Sequence, residues 1–154
     1  MGELGDALRN RTFGPAVHGF LDLIRDGHPH TPMLVISPVI CPMLENAPGP
    51  VDSDRGAPVE RFYTIGDPRW LDYGALTLVR VRHILREIVT QRATADPNLH
   101  YLDGRELFGV GDLADLPDAL HPNDAGYRRM GERFATLAFG PPGPFADRGR
   151  RGAP

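Results

Sequence analysis

Met33-Leu-Val-Ile-Ser-Pro-Val-Ile40 decides the fold. It is a continuous apolar run of strand length, the pattern of a strand buried on both faces. Working back from it, Phe13, Val17, Phe20, Leu21 and Ile24 recur at helical spacing. Thr12 is placed to cap that helix, Gly27 and Pro29 end it, and Pro15 falls within its first turn, where proline is tolerated. A helix that feeds such a strand points to an α/β domain with a parallel sheet.

Working forward, Pro42 to Pro68 loses all periodicity and reads as one long loop, of the kind that is functional or mobile. A second helix is expected over Ala75 to Arg92, with Leu78, Val81, Leu85 and Ile88 on one side. Asn98 to Asp103 reads as a short strand closed by Asp103-Gly104. Asn123 is placed to cap a last helix with Tyr127, Met130, Phe134 and Leu137 as its apolar stripe. Residues 140–154, rich in Pro, Gly and Arg, read as a disordered tail. The order is α-β-loop-α-β-loop-α. Two strands cannot shield three helices, so residues 1–139 read as the back end of a larger doubly wound domain.

Composition narrows the class. The 154 residues are 41% hydrophobic and 24% charged with a net charge of −3, the profile of one globular domain. All 17 basic residues are arginines, and Arg148 to Arg151 is too short a block to argue for nucleic acid. No apolar run approaches membrane-spanning length. The start lacks the cationic and apolar parts of a signal peptide, so the chain as written reads as cytoplasmic. The lone Cys41 excludes an internal disulfide and a Cys-rich metal site. Neither a metal nor a cofactor is expected, and the sequence leaves the oligomeric state open.

The chemistry concentrates in Asp118-Ala-Leu-His121-Pro-Asn-Asp-Ala-Gly126. An aspartate three residues before a histidine can fold back onto imidazole Nδ1, fix the tautomer and leave Nε2 as a general base. With 14 aspartates and six histidines in the chain, chance alone supplies roughly half of one such pair, so its context matters. His121 follows a strand by one loop and opens a helix, which puts it near the carboxyl edge of the sheet, where open α/β folds hold their sites. The bland reading is a loop carboxylate beside an exposed helix-start histidine.

Other candidates are weaker. Ser37 and Ser53 are the only serines. Ser37 lacks the glycines of a nucleophile elbow and reads as structural, and Ser53 lies in the Pro/Gly loop. Cys41 reads as packing material with nothing nearby to lower its pKa. Gly109-Val-Gly111-Asp-Leu-Ala114 spells a dinucleotide fingerprint, but it does not directly follow its strand and Pro117 would break its helix. His28-Pro-His30 lacks the partners of a metal site. His83, beside Arg80 and Glu87, reads as surface, and His18 and His100 as packing or surface residues.

Residues Asp118 to Gly131, with Leu99 to Gly109 before them, resemble the closing segment of SGNH/GDSL-type hydrolases. Phe13 to Gly27 followed by Thr31 to Pro38 is similar to the segment preceding it. The likeness covers most of residues 10–139 and is sharpest at Asp-x-x-His-Pro. It implies a three-layer α/β/α sandwich with a flavodoxin-like parallel sheet whose amino-terminal strands are missing. It also implies ester hydrolysis of a small-molecule substrate, with Asp118 and His121 as acid and base of a serine triad. That family's Gly-Asp-Ser block is matched only by Gly5-Asp6-Ala7-Leu8, with alanine for serine and no buried strand before it, and Gly-x-Asn does not occur. The expectation is therefore a truncated gene or misassigned start, residues 1–10 lying just after a lost Gly-x-Asn block, and a chain that alone is inactive or nearly so. The alternative is a degenerate hydrolase-like module kept for binding.

Overall fold

The structure, a computed structural model, describes residues 9–146. The Gly5-to-Leu8 stretch and the arginines of the tail lie outside the described residues. The fold is mixed α/β: a small parallel sheet with helices, plus one antiparallel hairpin.

Helix α1 spans Asn10–Gly27. It begins earlier than the apolar spacing suggests because the Asn10 N–H finds the Gly74 carbonyl at 2.8 Å. Thr12 is therefore not the cap. It sits inside the first turn, where its hydroxyl accepts the Arg9 N–H at 2.9 Å, and Pro15 lies beyond that turn. Strand β1, Met33–Ile36, stops short of Ile40, since Pro38 has no N–H to continue a ladder.

The second helix, α2, spans Leu78–Arg92 and is capped by the Thr77 side chain, which accepts the Arg80 N–H at 3.2 Å. Between β1 and α2, the stretch expected to be a shapeless loop holds a hairpin. Its strands are β2, Val51–Asp54, and β3, Arg61–Thr64, paired antiparallel with Ser53 opposite Phe62. Strand β4, Leu99–Leu102, pairs with β1 in parallel, Met33 against Leu99 and Ile36 against Leu102. The final helix, α3, spans Asp124–Phe139, and Asn123 caps it by accepting the Gly126 N–H at 2.9 Å.

One core lies between the β1–β4 pair and helices α1 and α2. Leu21, Ile84, Ile88, Val89 and Leu99 are buried together, with Phe13, Val17, Met33, Val35 and Tyr101 packed around them. Each such aliphatic side chain contributes about 1.5–3 kcal/mol when fully withdrawn from water. Leu102 points to the opposite face of the pair and is also buried. Beyond β4, Phe108 is fully buried. Gly126 lets α3 start directly over it: a Cβ there would sit 3.0 Å from both the Phe108 ring and the Pro122 side chain.

The carboxyl ends of β1 and β4 are locked together. The Gly104 N–H donates to Ser37 Oγ at 3.1 Å, and any side chain at Gly104 would run into the Ser37 carbonyl. From α2, buried Arg82 pairs with Glu45 and reaches the carbonyls of Pro38 and Val39 at 3.3 and 3.4 Å. This fixes the path of the chain as it leaves β1. Beyond α3, the Phe145 N–H donates to the Ala138 carbonyl at 2.8 Å, and its ring lies 5.5 Å from that of Phe139.

Candidate functional site

Asp118 and His121 meet. Nδ1 of His121 lies 2.7 Å from Asp118 Oδ2, while Asp118 Oδ1 accepts the backbone N–H groups of Leu120 at 2.9 Å and His121 at 2.7 Å. One carboxylate thus closes its own turn and grips the ring. Such a turn is the ordinary chemistry of aspartate, whose short side chain reaches the backbone two and three residues on. Between the two residues Ala119 takes φ +70°, a left-handed backbone that costs a non-glycine residue roughly 1–2 kcal/mol. The turn holds that strain.

The charge of Asp118 favours one tautomer of the His121 ring. Burial pushes the Asp118 carboxyl up, but the N–H groups of His121 and Leu120 and the His121 ring outweigh it and hold the group below its ordinary value. An ionised carboxylate only accepts, so Nδ1 carries the proton and Nε2 of the neutral ring keeps its lone pair. The His121 side chain is 48% exposed and that of Asp118 only 20%. Among the described residues nothing hydrogen-bonds to Nε2, so the ring has one edge occupied and one edge open.

Two parts of the chain touch this turn, and a third anchors the helix that follows it. Below it, buried Cys41 follows the β1 exit fixed by Arg82, and its Sγ lies 3.9 Å from the Ala119 carbonyl. Burial raises the thiol pKa above its ordinary value, the state of a neutral packing group. On one side, the Phe62 N–H donates to the Asp118 carbonyl at 2.9 Å, and the Phe62 ring meets the His121 ring edge-to-face, centroids 5.1 Å apart. Behind it, Asp112 anchors α3. Its carboxylate accepts Arg133 at 2.6 and 3.2 Å, Arg129 at 2.9 Å and the Gly109 N–H at 2.9 Å. The Arg133 guanidinium and the Gly109 N–H outweigh burial and lower its pKa to about 2.

The remaining candidates stay apart from this turn. Ser37 is 3% exposed and bound to Gly104, and Ser53 donates to Glu60 at 2.6 Å. Gly109 opens a short 3-10 turn, Val110–Asp115, with no strand-to-helix step. His18 Nδ1 faces Arg92 at 3.2 Å, and His83 pairs with Glu87 at 3.2 Å. Those two histidines also line an open groove of about 920 Å³ between α1 and α2, which includes neither Asp118 nor His121. Buried His100 Nε2 has no hydrogen-bond partner. Among the described residues no three His, Cys, Asp or Glu side chains cluster as a metal site would require, and no helix is long and apolar enough to cross a membrane.

Phe62 escaped the sequence reading. Its only signal was the alternation Arg61-Phe-Tyr-Thr64 facing Val51-Asp-Ser-Asp54 across the six residues 55–60, too brief and too polar to stand out from a Pro/Gly loop.

Neither a family model nor a curated protein matches this chain. Among solved structures, the salicylyl-acyltransferase SsfX3 from a tetracycline biosynthetic pathway is similar, with a TM-score of 0.56 and 24% sequence identity. The match covers 79% of this chain and 30% of that one. The likeness is one of fold. It corrects the resemblance drawn above: the neighbour found is an acyltransferase, and membership of the SGNH/GDSL-type hydrolases has no support. The physical reason is the shortness of the deciding block. An Asp-x-x-His turn forms from local carboxylate-to-backbone bonds, whatever the ancestry of the chain around it.

Proposed function

We propose that Asp118 and His121 are the acid–base pair of an acyl-transfer centre acting on a small-molecule ester. One observation carries this reading: the Asp118 carboxylate lies 2.7 Å from Nδ1 of His121, while Nε2 has no hydrogen-bond partner among the described residues. In the reaction, Nε2 takes a proton from an attacking hydroxyl as its oxygen adds to the acyl carbonyl. The ring returns that proton to the leaving alkoxide, while Asp118 stays ionised and steadies the imidazolium. Water as the attacker gives ester hydrolysis. An alcohol, on a side chain or a second substrate, gives transfer.

The fold neighbour's being an acyltransferase supports this class of chemistry. Since this chain spans only 30% of that neighbour's length, the attacking hydroxyl and most of the substrate's contacts belong to the proposal. We also infer a three-layer α/β/α arrangement. It is supported by the parallel β1–β4 pair, by α1 and α2 on one face, and by Leu102 buried on the other.

A binding module without catalysis is the second reading. It is favoured by a specific observation: neither Ser37 nor Ser53 is bonded to His121, each hydroxyl having another partner. Turnover of p-nitrophenyl acetate separates the two. The expected rate is small in absolute size but falls about 100-fold in His121→Ala, the lower range for a lost general base, with the fold retained by circular dichroism. Equal rates would overturn the catalytic reading and leave the binding one.

A further inference from the structure

We propose that Phe62 is a positioning residue for His121, and that the β2–β3 hairpin is the wall against which the imidazole is fixed. This rests on the acid–base reading above. A carboxylate at Nδ1 holds the ring at one point, and a ring held at one point can still rock about its side-chain bonds. A second contact from a different direction removes that freedom.

Phe62 supplies it. The two rings stand at 82° with centroids 5.1 Å apart, the edge-to-face geometry in which the positive rim of one ring meets the negative face of the other. The same residue's backbone N–H donates to the Asp118 carbonyl at 2.9 Å. Phe62 therefore touches both members of the pair, one through its main chain and one through its ring.

The hairpin is fastened well enough to serve as a wall. Its inner face carries Val51, Ser53, Phe62 and Thr64, all partly buried, while Asp52, Asp54, Arg61 and Tyr63 alternate outward. Thr64 Oγ1 donates to the Pro48 carbonyl at 2.5 Å, and the Ile65 N–H to the Pro50 carbonyl at 3.0 Å. Gly66 lies so close over the Pro48 and Gly49 carbonyls that no side chain fits there. The strand is thus tied at its carboxyl end, two residues past Phe62.

The consequence concerns which way Nε2 faces. With Asp118 on the Nδ1 side and Phe62 against the ring, a substrate reaches Nε2 only from the direction the hairpin leaves free. The hairpin thereby becomes part of the site's shape and not a surface ornament.

The test is nuclear magnetic resonance of the full chain with isotope-labelled histidine, the His121 signals assigned by their loss in His121→Ala. In the wild type, the Nδ1 proton held by Asp118 gives a protected resonance. Phe62→Ala is expected to speed its exchange with solvent by between about two- and tenfold, the worth of one edge-to-face ring pair, and to move the ring carbon-bound proton shifts. Phe62→Leu keeps the bulk of the hairpin but lacks the ring, and is expected to show the same change in smaller degree. Phe62→Tyr restores the wild-type signal. Tyr63→Ala, on the outer face, leaves it unmoved. If Phe62→Ala and Phe62→Leu both match the wild type, or Tyr63→Ala perturbs the signal as much as Phe62→Ala, the positioning role is wrong. A wild type with no Nδ1 proton held by Asp118 would instead bring down the acid–base reading beneath it.

Discussion

Asp112 and Asp118 stand six residues apart on the stretch that leads into α3, and both carboxyls are held below the ordinary carboxylate value. Their surroundings differ in kind. Asp112, its side chain 7% exposed, is saturated by two guanidinium groups and a backbone N–H. Nothing remains for it to do but hold α3 in place. Asp118 spends two of its contacts on its own turn and one on a histidine whose far nitrogen is open. A depressed pKa alone therefore does not mark a site. What distinguishes the second carboxylate is that it grips a half-exposed imidazole whose Nε2 has no hydrogen-bond partner among the described residues.

The contrast can be broken most forcefully at Asp112. Replacing it with alanine leaves Arg133 with only the Leu107 carbonyl beside a partly buried gap, while Arg129 keeps Asp115 at 2.6 Å. The expected loss is about 2–4 kcal/mol of unfolding free energy, below the full cost of breaking a buried pair because both arginines reach solvent. Urea denaturation measures this, and the His121 ring signals should survive in the folded fraction. An effect under about 1 kcal/mol, the range of an exposed pair, would mean that Asp112 is surface decoration.

Acid sharpens the same point. The folded pKa of Asp112 is about 2 against an ordinary value of 3.8, so the unfolded chain binds its proton first as pH falls. The stability it supplies is complete above that ordinary value and drains away as pH drops toward about 2. Between those limits the wild type should lose stability more steeply than Asp112→Asn, as followed by acid titration of tryptophan fluorescence. Parallel curves would contradict the saturated network.

At Asp118 the expected stability cost is smaller and the functional cost larger. Asp118→Asn keeps an acceptor oxygen for the turn and should lower stability by only about 0.5–1.5 kcal/mol. Its amide can point an N–H at Nδ1 and favour the wrong tautomer, so any His121-dependent turnover should fall by orders of magnitude. A variant that keeps the wild-type rate would show that the carboxylate is idle. The smallest effect belongs to Ala119. Glycine there relieves a left-handed strain of about 1–2 kcal/mol but makes the unfolded chain freer by about 0.4–1 kcal/mol. Ala119→Gly should therefore stabilise by roughly half a kcal/mol in the same urea assay. A clear loss would mean that the turn is not strained.

The helices and the parallel pair were legible because their apolar spacing was long and their caps, Asn123 above all, use residue-specific chemistry. The Asp118–His121 contact was legible because it is local: three residues, one carboxylate, its own backbone. The hairpin was hidden, since Ser53 and Thr64 on its inner face are no more apolar than the loop around them, and its register depends on ties to Pro48 and Pro50. Phe62 was hidden for the same reason, its partner lying 59 residues away. The start of α1 moved because Gly74, far along the chain, offers Asn10 a carbonyl. The family resemblance failed where a short local motif stood in for a whole ancestry.

The most direct measurement is neutron diffraction from deuterium-exchanged crystals at a pH where the histidine is neutral. A deuteron on Nδ1, lying between the ring and Asp118, with none on Nε2, is the expected result. A deuteron on Nε2 with Nδ1 bare would contradict it, because the open edge would then hold a proton instead of the lone pair that acyl transfer needs.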